Sequence, residues 1–158
     1  MSGTLVAGVG NVLLGDDGFG VEVVRRLAGT ALPAGVEVAD FGIRGVHLAY
    51  QLLDGYDLVV LVDALGRGGA AGTIYVLEPE LGGLEPRPLV DGHGLDPATV
   101  LGMVKLLGGA IGRTVVVGCE PARLEEGIGL SAPVAHAVDE AVRLVRRLVG
   151  AIDKEARA

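Results

Sequence analysis

The chain has 158 residues, of which half are hydrophobic and 3% aromatic, and its net charge is −7. That length suits one compact domain, because two separate cores would each carry too much surface for the apolar area they bury. A negative chain with so few aromatics lacks the field that neutralises phosphates and the platforms that stack bases, which argues against nucleic acid as a partner.

Thr4 to Val9 is a continuous apolar run closed by Gly10-Asn11, the pattern of a strand buried on both faces. After the turn Gly10 to Gly15, Asp16 and Asp17 precede Val21, Val24, Leu27 and Ala28, a spacing that lines up one helical face with an aspartate as its N-cap. Val36 to Phe41 reads as a second strand. Val46 to Leu53 reads as a helix carrying Leu48, Leu52 and Leu53 up to the Asp54-Gly55 stop. Asp57 to Ala64 is the most strand-like segment, its aliphatic run Leu58 to Val62 ending abruptly at Asp63.

Thr73 to Leu77 follows after only Gly66 to Gly72, too short for a helical crossover, so this fourth strand is expected to pair antiparallel or to lie at an edge. The stretch Leu81 to Pro88 holds two prolines and reads as loop, with His93 in the irregular segment beyond it. A helix is predicted over Pro97 to Leu107, with Pro97 in its first turn, then a fifth strand over Arg113 to Gly118. A long helix from Ala132 to Ile152 closes the chain, with Val134, Val138, Ala141, Val145 and Leu148 on its inner side and Arg143, Arg146 and Arg147 facing water. Alternating strands and helices predict an α/β three-layer sandwich, phosphorylase/hydrolase-like, with a mainly parallel five-stranded sheet in one domain over 1–158.

No apolar run approaches the ~18 residues needed to cross a bilayer, and Met1-Ser2-Gly3-Thr4 carries no basic residue, so the expectation is a cytoplasmic monomer without membrane contact. Cys119 is the only cysteine, which rules out an internal disulfide and a cysteine-rich zinc site. The glycines near residue 10 match neither a dinucleotide fingerprint nor a phosphate loop, and two acids where a helix should receive pyrophosphate oppose that ligand.

Ligands of open α/β sheets bind outside the carboxyl ends of the strands. Asp16-Asp17, Asp63 and His93 all follow strands, and two carboxylates with an imidazole suit a divalent first-row metal such as nickel or zinc. Each also has a local reading: Asp17 or Asp16 as a helix cap, Asp63 as a turn residue, His93 as an exposed loop residue. Ser131 lacks a nucleophile elbow and is read as capping the last helix. His47 and His136 fall in helical patterns and are given no role.

Gly8-Val9-Gly10-Asn11-Val12-Leu13-Leu14-Gly15-Asp16-Asp17-Gly18-Phe19-Gly20-Val21 resembles the opening motif of the nickel-iron hydrogenase maturation endopeptidases. The likeness continues through Leu61-Val62-Asp63-Ala64, His93, and Gly118-Cys119-Glu120-Pro121 to Gly129-Leu130-Ser131. The resemblance implies cleavage of a C-terminal extension from the hydrogenase large-subunit precursor after nickel insertion. It implies Asp17, Asp63 and His93 as metal ligands, with Asp17 where the family often has Glu, and nickel borne by the substrate or transiently bound. Two mechanisms follow. Either the metal activates water while Asp16 or Asp17 guides protons, or nickel is a checkpoint in the substrate with Asp16 as general base; the second is preferred. The alternatives are a non-catalytic nickel-binding chaperone and a metal-dependent hydrolase of another small peptide or amide. Cys119 is read as core filling.

Overall fold

The computed structural model describes residues 3–83, 85–86 and 96–157, the last seven as backbone only. His93 therefore lies outside the described residues. The elements in chain order are β1 (Thr4–Val9), a 3₁₀ turn (Gly15–Gly18), α1 (Phe19–Ala28), β2 (Val36–Gly42), α2 (Gly45–Leu52), β3 (Leu58–Ala64), β4 (Ile74–Leu77), α3 (Pro97–Leu106), β5 (Arg113–Cys119) and α4 (Ala132–Arg157).

The sheet order is β2-β1-β3-β5-β4. The first four strands run parallel and β4 pairs antiparallel with β5 at the edge, so both expectations for Thr73 to Leu77 hold together. β4 does not pair with β3, its predecessor in the chain; it crosses over β5 to reach the edge.

Continuous apolar runs form the inner strands because both faces of the sheet are covered. Along β3, Leu58, Val60 and Val62 pack with Phe19, Val23 and Leu27 of α1 and with Val134, Val138 and Val145 of α4. Val59 and Leu61 face the other way, against Leu48 and Leu52 of α2 and Val100, Leu101 and Val104 of α3. The side-chain period of two thus builds two cores on one sheet, the three-layer sandwich. Arg143, Arg146 and Arg147 are exposed, whereas Leu53 turns out of the core, 37% exposed, because α2 ends one residue before it.

Close approach at the sheet's carboxyl rim depends on missing side chains. α1 crosses β1 and β3 so tightly that a Cβ on Gly20 would collide with the carbonyl oxygens of Val62 and Val9, backbone that has no room to yield. Gly20→Ala is therefore expected to destabilise the fold by about 1–3 kcal/mol, the usual cost of overpacking, measured as a lower urea midpoint at unchanged slope.

Candidate active site

Parallel pairing brings the carboxyl ends of β1, β3 and β5 to one rim, and the turns that follow them carry the acids. The first turn is organised by Asn11. Its side-chain oxygen accepts from Leu13 N–H and its carbonyl from Leu14 N–H, which folds the chain back toward the 3₁₀ turn that presents Asp16 and Asp17.

Neither aspartate caps α1, contrary to the sequence expectation. The cap position belongs to Gly18, which supplies no side-chain bond. Asp16 is fully buried, 0% exposed, and reaches across to the segment between β5 and α4. Its carboxylate accepts four hydrogen bonds, from Ala122 N (2.8 Å), Arg123 N (2.9 Å), Ser131 N (2.7 Å) and Ser131 Oγ (2.8 Å). Burial alone would raise its pKa, but the bonds from Ser131, Arg123 and Ala122 outweigh it and hold the carboxyl below its ordinary value. A carboxylate held by four donors, three on Oδ2 and one on Oδ1, with no contact with solvent, is a poor general base. The geometry makes it an anchor. Ser131 stands at the expected cap position of α4, its carbonyl accepting from Ala135 N–H, but its hydroxyl turns to Asp16.

Asp17, next in the chain, points the other way and is only half-buried. One oxygen, Oδ2, accepts from Asn11 N–H at 2.7 Å. Asp63 lies opposite, at the end of β3 and 8% exposed, and its Oδ1 is 3.6 Å from where a Cβ on Gly10 would stand; that same Cβ would strike the carbonyl oxygen of Asp17. Gly10, with φ +137°, therefore lets the two acidic segments close on each other. Burial pushes the Asp63 carboxyl well above its ordinary value, and the nearby negative charges of Asp17 and Asp96 push it further, against a smaller opposing bond from Ala64 N–H.

Among the described residues neither Asp17 nor Asp63 faces a cationic side chain. Two neighbouring acids, one of them buried, form an acidic site that a cation would relieve. Among the described residues, however, no three His, Cys, Asp or Glu side chains gather into a complete metal-holding group. The structure thus brings together Asp17 and Asp63 of the sequence-predicted set, sends Asp16 elsewhere, and leaves His93 outside what is described.

Two acids of this rim have roles that the sequence reading does not assign. Asp96 caps α3 by accepting from Thr99 N–H at 2.8 Å, and its charge reaches Asp63. Its signal was the Asp96-Pro97 pair, a cap followed by a first-turn proline. Glu120 accepts from Arg67 N (2.7 Å), Gly69 N (3.0 Å) and the Tyr75 hydroxyl (2.7 Å), and so ties down the loop that leaves Asp63. Cys119 is buried, and burial, followed by the negative charges of Asp16, Glu120 and Glu140, pushes its thiol up to about 12. A thiol so hard to ionise is no nucleophile, in keeping with its reading as core filling. His47 and His136 are both exposed.

The family model for hydrogenase maturation proteases matches residues 21–148. The chain is 36% identical over 152 residues to the hydrogenase expression/formation protein HupD of Rhodobacter capsulatus, covering 90% of this chain and 70% of that one. It is 31% identical over 142 residues to the hydrogenase 2 maturation protease of Escherichia coli, covering 89% and 87%. Among solved structures, the hydrogenase maturating endopeptidase HybD of E. coli superposes with a TM-score of 0.76 at 31% identity, over 90% of this chain and 89% of that one. The NiFe hydrogenase maturation protease HycI of Thermococcus kodakarensis superposes with 0.74 at 25% identity, over 94% and 92%.

The two carboxylates should respond to substitution with opposite signs. Asp16→Asn puts an amide N–H against N–H donors in a dry site and is expected to cost about 2–4 kcal/mol at neutral pH. Because the folded pKa of Asp16 is lowered, its contribution is complete above the ordinary carboxylate value and is lost as pH falls through the lowered one; denaturant titrations at neutral and acid pH check this. Asp63→Asn should stabilise the metal-free protein. The folded pKa of Asp63 is raised, so wild-type stability declines as pH rises from the ordinary value through the raised one, and the substitution removes that decline. Melting curves at neutral pH should show Tm higher by about 3 °C for each kcal/mol relieved.

Proposed function

The chain belongs to the hydrogenase maturation protease family and is a peptidase; on that premise we propose that it removes the C-terminal extension of a nickel-iron hydrogenase large-subunit precursor after nickel insertion, with nickel in the precursor as the element recognised. The observation that carries this reading is the neighbouring pair of acids, half-buried Asp17 and buried Asp63, without a cationic partner among the described residues.

Nickel is here part of the substrate. Asp17 offers it the oxygen left free by Asn11 N–H, and Asp63 gives up its abnormally held proton to become the second ligand. His93 is proposed as the third ligand on the strength of the sequence resemblance. A metal fixed at both ends, by the precursor and by these side chains, holds the scissile bond over the rim and removes most of the positional freedom that slows hydrolysis. Water then attacks the scissile carbonyl, the carbon–nitrogen bond breaks, and the new amine leaves with a proton.

Asp16 is not proposed as the base, since its carboxylate is buried and already accepts four hydrogen bonds. Its task is to hold the turn from which Asp17 projects. The alternative in which the metal itself activates water uses the same two acids, and a resident, stoichiometric metal in the isolated protein would favour it. The site is proposed to act in the cytoplasm; no helix among the described residues is long and apolar enough to cross a membrane.

Mass spectrometry of the precursor after incubation with this protein tests the reading. We expect a loss of C-terminal mass only when the precursor carries nickel, and expect Asp17→Asn and Asp63→Asn to slow that loss by about 100-fold or more. Equal cleavage of nickel-free precursor would overturn the checkpoint. Unaltered cleavage by both variants would remove the acids from the mechanism, and binding without any cleavage by the wild type would point to a chaperone.

A further inference from the structure

Segment 121–131, between β5 and α4, is irregular, and residues 122–129 are all exposed. Ile128 is 86% exposed, more than any other large hydrophobic among the described residues; Leu124 is 52% and Leu13 58% exposed. A glycine-bearing surface loop of this kind is ordinarily slack. This one is braced. The Asp16 carboxylate holds the N–H groups of Ala122, Arg123 and Ser131, and the Asp16 N–H donates to Arg123 O at 2.8 Å. Farther along, Gly127 N–H donates to Leu13 O and Gly15 N–H to Gly127 O, both at 2.9 Å, a parallel bridge between Leu14 and Gly127.

The bridge sets Gly127, and Ile128 beside it, against the same turn that carries Asp17. A fully buried carboxylate and this bridge thus fix the backbone that carries exposed apolar side chains, beside the turn from which Asp17 projects, and exposed apolar residues carried on a fixed backbone mark a contact surface. Beside them, Glu125 and Glu126 line a concavity of about 150 Å³ together with Gly15 and Arg123. That is below the roughly 300 Å³ at which small-molecule pockets begin, and suits one side chain.

We infer that this loop is a ledge on which the large-subunit precursor docks outside the cleavage site: apolar residues of the precursor cover Ile128, Leu124 and Leu13, and a Lys or Arg of the precursor seats against Glu125 and Glu126. The inference rests on the processing reading above. Charge selects this occupant, because a second copy of a chain with net charge −7 would bring like charge to an acidic rim, whereas a basic segment is attracted to it.

The test uses the full chain and the full-length nickel-loaded precursor. Leu124→Ser with Ile128→Ser should keep the wild-type Tm, since both side chains are exposed, while Kd and KM for the precursor rise about tenfold at unchanged kcat. Glu125→Lys with Glu126→Lys should weaken binding likewise and flatten its dependence on salt. A wild type that processes the precursor beside serine variants of unaltered Kd and KM overturns the ledge alone. A wild type that neither binds nor processes the precursor overturns the processing reading and the ledge together. Sedimentation showing a wild-type dimer that the serine variants dissociate, with precursor affinity unchanged, reassigns the surface to self-association and also overturns the inference.

Discussion

The carboxyl rim is organised around the buried carboxylate of Asp16. It joins the turn after β1 to the segment after β5, which lie more than a hundred residues apart in the chain and on opposite sides of β3 in the sheet. With the Leu14–Gly127 bridge beside it, that link holds the 3₁₀ turn from which Asp17 projects. An aspartate can do this because its two oxygens accept up to four bonds in roughly one plane, and the donors here are backbone groups that would otherwise need partners of their own. A neutral side chain of the same shape would leave some of those N–H groups unsatisfied in a dry place. Glu120 repeats the device on the far side, gathering the Arg67 and Gly69 N–H groups and the Tyr75 hydroxyl to hold the loop that follows Asp63.

Satisfied and unsatisfied acids therefore alternate along the rim. Asp16 and Glu120 are held below their ordinary pKa by donors, with burial opposing, while Asp63 is raised by burial and by the charges of Asp17 and Asp96. The first two stiffen loops; the third stores unfavourable energy. Unlike Asp16 and Glu120, which gather backbone donors, Asp63 adds nothing structural at the end of an otherwise aliphatic strand. Strain of this kind persists where function requires it and is compensated elsewhere, here by two well-filled cores on either face of the sheet.

Much of this was legible in the residues. The strands and helices announced themselves by aliphatic runs and by apolar spacing of three and four, and the antiparallel edge strand followed from a connection too short to cross over. Asp17 and Asp63 were legible as neighbours because parallel strands end on one side. The partnership of Asp16 with Ser131 was not. Local rules assign an aspartate before a helix and a serine before another helix to their own caps; only the tertiary fold joins their side chains, so Asp16 leaves the cap of α1 to Gly18, and Ser131 keeps the cap position of α4 while giving its hydroxyl to Asp16. The ledge was hidden likewise, since an Ile in a glycine-bearing stretch looks like any loop residue until the Leu14–Gly127 bridge shows it pinned.

Asp17 itself shows how the backbone sets what a site can offer. Where glutamate would have the longer reach and the freer rotation, the aspartate is shorter by one methylene and has Oδ2 fixed on Asn11 N–H. That bond occupies one lone pair of Oδ2 but restrains side-chain rotation, so the free oxygen is aimed before any cation arrives. Oδ1 is then its best-presented donor. Such an acid cannot enclose a cation by itself, and Asp63 opposite is too deeply set to move toward it. A pair with so little freedom favours a metal that arrives already held by other ligands, because the protein then has only to complete a coordination sphere rather than build one.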